Sequence, residues 1–167
     1  EEQNMFNNST FIKRFLELST DKKMQNEITT IENSINKLGI GNTLSSEKFV
    51  NEKNEPIDLG KLITKETVIF FCNTNIQSHL NSVHRKVIAF KEKYPNVNFI
   101  AINIDDSYEE WENKLNDFDH KNIIEIHAVN SEAIKEKWVI YKIHRSIILN
   151  ADGTIKKHSY PYYNDSN

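Results

Sequence analysis

Two almost unbroken apolar runs, Val68-Ile69-Phe70-Phe71-Cys72 and Val97-Asn98-Phe99-Ile100-Ala101-Ile102-Asn103-Ile104, constrain the fold of this chain more than any other feature. A strand with one wet face alternates apolar and polar residues, whereas a continuous run fits a strand covered on both faces. Between the runs, Leu80, Val83, Val87, Phe90 and Tyr94 recur at the spacing of a helix with one apolar stripe, and Pro95-Asn96 ends it. Strand, long helix, strand is a βαβ unit, whose crossover is right-handed in nearly all cases and makes the strands parallel. An α/β fold is therefore expected, with residues 68–72 as its core strand.

Upstream, Phe6, Phe11, Ile12, Phe15, Leu16 and Leu18 mix near-helical spacings, and Met24, Ile28, Ile31, Ile35 and Leu38 keep them strictly until Gly39. Residues 1–38 read as an N-terminal helical segment that packs onto the core, and 39–167 as the main domain. Lys48-Phe49-Val50-Asn51 reads as a short strand, with Asn54-Glu55-Pro56 as a turn into Ile57-Asp58-Leu59. Downstream, Asp105-Asp106-Ser107 can cap a helix carrying Trp111, Leu115 and Phe118, and Ile123-Ile124-Glu125-Ile126 is extended. Ser131-Glu132 opens a helix expected to bear Ile134, Trp138 and Tyr141 on one face. Ala151-Asp152-Gly153 between apolar runs signals a hairpin, so the sheet should end antiparallel.

Composition narrows the function classes. The 21 basic and 24 acidic residues are interleaved, which gives no field favouring nucleic acid. No apolar run approaches the roughly 20 residues of a membrane span, and with four glycines there is no phosphate-cradling loop. The single cysteine, Cys72, can form neither an internal disulphide nor a multi-cysteine metal site. His79 and His84 are not at the spacing that puts two ligands on one helical face, and His120 and His127 flank different elements. Neither a metal nor a cofactor is expected. The sequence opens at Glu1 with no apolar leader, so a signal peptide is either absent or already removed, and secretion stays open.

Three stretches carry a family resemblance: Thr67-Val68-Ile69-Phe70-Phe71, then Lys93-Tyr94-Pro95-Asn96-Val97 leading into Ile102-Asn103-Ile104-Asp105, then Tyr141-Lys142-Ile143 leading to Asn150-Ala151-Asp152-Gly153. Over roughly residues 40–158 the chain resembles the TlpA-like thiol-disulphide oxidoreductases. The resemblance implies a thioredoxin-like three-layer fold with a central mixed sheet. In that family the core strand leads to a Trp and a Cys-x-x-Cys at the start of the long helix. Continued without gaps, the register puts Cys72 on a small-residue position, Thr74 on the Trp, Asn75 on the first cysteine and Ser78 on the second. Counting back from Asp152-Gly153, the family's cis-proline falls on His144. A cis bond before a non-proline costs about 2.5–4 kcal/mol, so a trans peptide is expected there. The family's closing helix is expected to be lost or truncated, because Tyr160-Pro161-Tyr162-Tyr163 leads straight into a polar terminus.

Asn75 cannot act as a thiolate; as a favoured helix cap, it is expected to satisfy the first backbone donors of the long helix. Ser78 becomes a nucleophile only beside a base, which His79 or His144 could supply, but no acid is placed to orient either imidazole. Cys72 is expected to be a buried, inert sulphur, and the Thr-x-x-Cys context of peroxiredoxins is missing before it. Trp111, Phe118 and Trp138 are expected in the core. Tyr160, Tyr162 and Tyr163 are expected either to meet a partner or to pack on the sheet. The resulting expectation is a redox-inactive module that holds a protein or peptide around Asn75, Ser78 and His144. The alternative is single-cysteine thiol oxidoreductase or peroxidase chemistry at Cys72; a further one is a domain that only supports the N-terminal helices. The resemblance implies a periplasmic or envelope location in bacteria.

Overall fold

The expected core strand is β3 (Thr67–Cys72), whose residues are buried except for the partly covered Val68. It pairs in parallel with β4 (Asn98–Asn103) along its whole length, from Thr67 opposite Asn98 to Cys72 opposite Asn103. Its other edge pairs antiparallel with β6 (Ser146–Leu149), but only from Thr67 to Phe70. Phe71 and Cys72 thus run past the end of β6, and the loop before β6 faces the end of β3.

The computed structural model describes residues 2–120 and 122–159. Tyr160, Tyr162 and Tyr163 lie outside the described residues. Helices α1 (Glu2–Leu18) and α2 (Lys22–Lys37) precede a hairpin of β1 (Phe49–Val50) and β2 (Pro56–Ile57), and a short α3 (Leu59–Leu62) leads into β3. After β3 come α4 (Gln77–Lys93), β4, α5 (Tyr108–Lys114), β5 (Ile124–Ala128), α6 (Ser131–Lys137), β6 and β7 (Ile155–Ser159). The strands form one mixed sheet in the order β2-β1-β5-β4-β3-β6-β7, with β4 and β5 parallel and β6 and β7 antiparallel.

Alternate residues of β3 supply two cores. Ile69 and Phe71 join Ile100, Ile102, Ile126, Ile134, Trp138 and Ile147 on one face. Phe70 and Cys72 join Leu80, Val87, Phe99 and Ala101 beneath α4 on the other. The result is the expected three-layer thioredoxin-like α/β arrangement.

Local expectations fail where a distant partner decides the conformation. Pro56 lies in the edge strand β2 rather than in the turn, a position where a missing N–H costs no ladder bond. The turn is made upstream by Asn51, whose Oδ1 accepts from the N–H groups of Lys53 and Glu55, both at 2.9 Å, with Asn54 left-handed at φ 58°. Helix α6 stops at Lys137, so Tyr141 is not on its face and is 67% exposed. Val139 turns left-handed at φ 54° and the buried Arg145 guanidinium donates to the carbonyls of Trp138 and Val139, satisfying groups that a longer helix would have used.

The N-terminal helices pack less than expected. Among the described residues only Ile35 and Leu38 reach the core, while Phe11, Leu18, Met24 and Ile31 stay exposed.

Trp138 is fully buried, lies 6.0 Å from the Phe49 ring and 6.4 Å from the Phe71 ring, and donates from Nε1 to Ser45 Oγ at 2.9 Å. Trp138→Ala should destabilise the fold by about 3–5 kcal/mol in urea unfolding; a loss below about 1 kcal/mol would contradict this packing.

Candidate functional site

Four residues, 73–76, connect the end of β3 to α4, and their conformation is set from outside the loop. Beyond β4, Asp105 adopts φ 75°, a left-handed turn that aspartate tolerates. That turn delivers the buried Asp106 carboxylate beneath the loop. Its Oδ2 accepts from the Thr74 N–H at 2.8 Å and from Asn103 Nδ2 at 2.6 Å, and its Oδ1 accepts from Asn75 Nδ2 at 2.7 Å. His127 Nε2 bonds the Asp106 carbonyl at 2.9 Å, which ties β5 into the same knot.

This arrangement changes the role of Asn75. The residue at the N-cap of α4 is Ile76, with no side-chain cap bond. Asn75 does not cap the helix, because Asp106 takes its side chain and Asn73 Oδ1 accepts its backbone N–H at 2.8 Å. The cap that Asp105-Asp106-Ser107 was expected to provide for α5 comes from Ser107, in a reciprocal capping box with Glu110.

Ser78 is exposed on the first turn of α4. Among the described residues no hydrogen bond joins its hydroxyl to an imidazole, and no carboxylate hydrogen-bonds to His79 or His144, so an oriented Ser/His pair is not assembled. What the fold does bring together is His79 and His144, with ring centroids 4.5 Å apart in an edge-to-face contact. Burial, then the neighbouring His144, lowers the His79 pKa below the usual imidazole value. No peptide bond among the described residues is cis. A groove of 650 Å³ opens beside this pair, between α4 and the β3–β6 face, with Ser78, His79 and His144 on its lining.

Cys72 is 1% exposed. Burial, and then the carboxylates of Glu125 and Asp106, push its thiol well above the ordinary range, against a smaller opposing effect of the Asn103 hydrogen bond. Below it, His84 Nε2 meets Glu125 Oε1 at 2.9 Å with both side chains almost fully buried, and His84 Nδ1–H donates to the Leu80 carbonyl at 2.7 Å. Among the described residues no three His, Cys, Asp or Glu side chains converge to hold a metal ion.

The profile of a family described as thioredoxin-like matches residues 65–155, more than half of the chain. The chain belongs to the thioredoxin-like family. Its sequence holds one cysteine, so this thioredoxin-like domain has no Cys-x-x-Cys pair. The C-terminal domain of a Bacteroides thetaiotaomicron protein assigned to the thiol-disulfide oxidoreductases superposes with a TM-score of 0.57 at 25% identity, over 73% of this chain and 87% of its own. The thioredoxin domain of a thiol-disulfide oxidoreductase from Bacteroides vulgatus superposes with a TM-score of 0.63 at 12% identity, over 74% and 89%. A thiol peroxidase from Chromobacterium violaceum does so with a TM-score of 0.60 at 14% identity, over 72% and 75%. The last two share the fold. No curated protein matches the chain by sequence, and no described helix is long and apolar enough to cross a membrane.

Sequence reading missed Asp106 as an anchor and missed the His84–Glu125 pair. A signal for the pair existed: His84 falls on the apolar stripe of α4 between Leu80 and Val87, and Glu125 interrupts an isoleucine run. No local signal joins Asp106 to a loop about thirty residues earlier.

Two outcomes follow for the thioredoxin-like domain. Asp106→Ala should cost about 2–4 kcal/mol in urea unfolding, because it leaves the donors of Thr74, Asn75 and Asn103 without their charged acceptor. Native-state amide exchange should speed up first at Thr74; unchanged exchange there would contradict the anchor. The raised Cys72 pKa means the folded state holds the thiol proton more tightly than the unfolded state. Stability from this source is present below the unfolded thiol pKa of about 8.5 and is lost as pH rises above it, by up to about 1.4 kcal/mol per pH unit relative to Cys72→Ala. Parallel pH profiles of the two proteins between pH 8 and 10 would contradict it.

Proposed function

We propose that this thioredoxin-like domain is redox-inactive and that it holds an extended stretch of protein or peptide on the surface formed by Asn75, Ser78 and His144. The observation that carries the reading is the combination of an intact loop-and-helix geometry with no sulphur at positions 75 and 78. Disulphide exchange begins with a thiolate attacking a disulphide sulphur. The one cysteine, Cys72, lies three residues before Asn75 and is buried, with its thiol held protonated by that burial. The groove beside Ser78 and His144 supports binding, since pockets that combine an apolar floor with a few polar groups are the usual form of a recognition site. A place in the bacterial envelope belongs to the same proposal and rests on the resemblance to TlpA-like proteins.

The competing reading is single-thiol chemistry at Cys72, as an oxidoreductase or a peroxidase, and native thiol titration separates the two. Ellman's reagent at pH 8 should find no reactive thiol in the folded protein and one equivalent after unfolding; rapid reaction in the native state would overturn the inactive reading. Binding is tested by selecting peptides from a displayed random library against the immobilised protein. Ser78→Arg and His144→Asp, both at exposed positions, should each weaken the selected peptides by about tenfold or more. Peptides indifferent to both substitutions would place binding elsewhere and sink the proposal.

A further inference from the structure

The groove beside the site carries one sign of charge. Its floor is Phe70, Val83, Val87 and Phe99, and Ile76 and Phe90, exposed by 44% and 52%, stand at its rims. Lys86, His79 and His144 stand on its walls, and among the described residues no aspartate or glutamate lines it, although acidic residues outnumber basic ones in the chain by 24 to 21. The pairing of Val68 with Ile148 and of Ile148 with Lys157 brings Lys157 onto the same face of the sheet as the floor, across β6 from it. Farther along α4, Lys91 has its pKa lowered by burial and then by repulsion from Lys65, so further positive charge lies there. Glu66, near that end, is taken by Lys156.

We propose that the groove takes an extended peptide segment in which bulky apolar side chains alternate with carboxylates. The apolar side chains lie over Phe70, Val83 and Phe99. The carboxylates pair with Lys86 and Lys157. Charge complementarity selects this occupant over a basic or neutral peptide, because like-charge juxtaposition is penalised and opposite charge speeds encounter. The proposal rests on the reading that this face binds peptide, and it adds the chemistry of the ligand.

The test is an NMR titration of the ¹⁵N-labelled full chain with two synthetic peptides, acetyl-Ser-Glu-Leu-Glu-Phe-Glu-Leu-Ser-amide and its counterpart with lysine in place of each glutamate. The acidic peptide should shift amide signals of α4 around Val83 and Lys86 and bind about tenfold or more tightly than the basic one, with the preference shrinking as salt is raised. Lys86 is exposed, so Lys86→Gln and Lys86→Glu leave the core intact; they should weaken the acidic peptide in that order, with about a fivefold loss for Lys86→Glu. Equal binding of the two peptides, shifts confined to another face, or indifference to Lys86→Glu would overturn the proposal. If neither peptide binds while library-selected peptides of other composition bind at Ser78 and His144, this proposal falls and the peptide-binding reading stands. If no peptide of any kind binds, both fall. Concentration-dependent shifts of the same α4 signals without peptide would assign the groove to a second copy, and movement of those signals by Tyr162→Ser with Tyr163→Ser would assign it to the chain itself; either overturns the proposal.

Discussion

Double-sided burial of β3 is the constraint on which the rest of the molecule depends. A strand with Ile69 and Phe71 in one core and Phe70 and Cys72 in the other can exist only if helices cover both faces and strands flank both edges. The covering helix on the second face is α4, which must begin where β3 ends. The flanking strand β6 stops opposite Phe70, so its entry loop, with His144, meets the first turn of α4. A crevice beyond the carboxyl ends of the parallel strands therefore follows from core burial itself, and the fold keeps it whether or not a cysteine stands there.

What occupies that crevice is a hydrogen-bonded knot. Asp106 fixes the loop through Thr74 and Asn75, and holds Asn103 from below. A carboxylate that accepts several short bonds is a strong structural tie, and its charge, with that of Glu125, disfavours a thiolate at Cys72. In an active dithiol site the local field must favour sulphur anions. Here the buried charges beside Cys72 work in the opposite sense.

Elements governed by periodicity were legible in the sequence. β3, α4 and β4 follow from unbroken apolar runs and a regular stripe, and the terminal hairpin follows from Asp152-Gly153, where Gly153 adopts φ 83°. Features governed by one distant side chain were not. The early end of α6 depends on Arg145 reaching back to two carbonyls, and Pro56 is a strand residue because β2 happens to be an edge. Asn75 reads locally as a cap, yet a better acceptor arriving through the fold takes its side chain. The apolar stripe on the N-terminal helices predicted helices correctly, but only the end of α2 finds a core to pack against among the described residues.

The central claim is that the scaffold of a dithiol site persists without its chemistry, and dithiol reconstitution measures this directly. Turnover of a disulphide substrate, followed with dithiothreitol as reductant, is compared for the natural chain and for a variant carrying Asn75→Cys and Ser78→Cys. The account predicts background turnover for the natural chain, and for the variant a 75–78 disulphide with turnover clearly above background. Turnover by the natural chain, or a variant that folds yet forms no such disulphide, would contradict it.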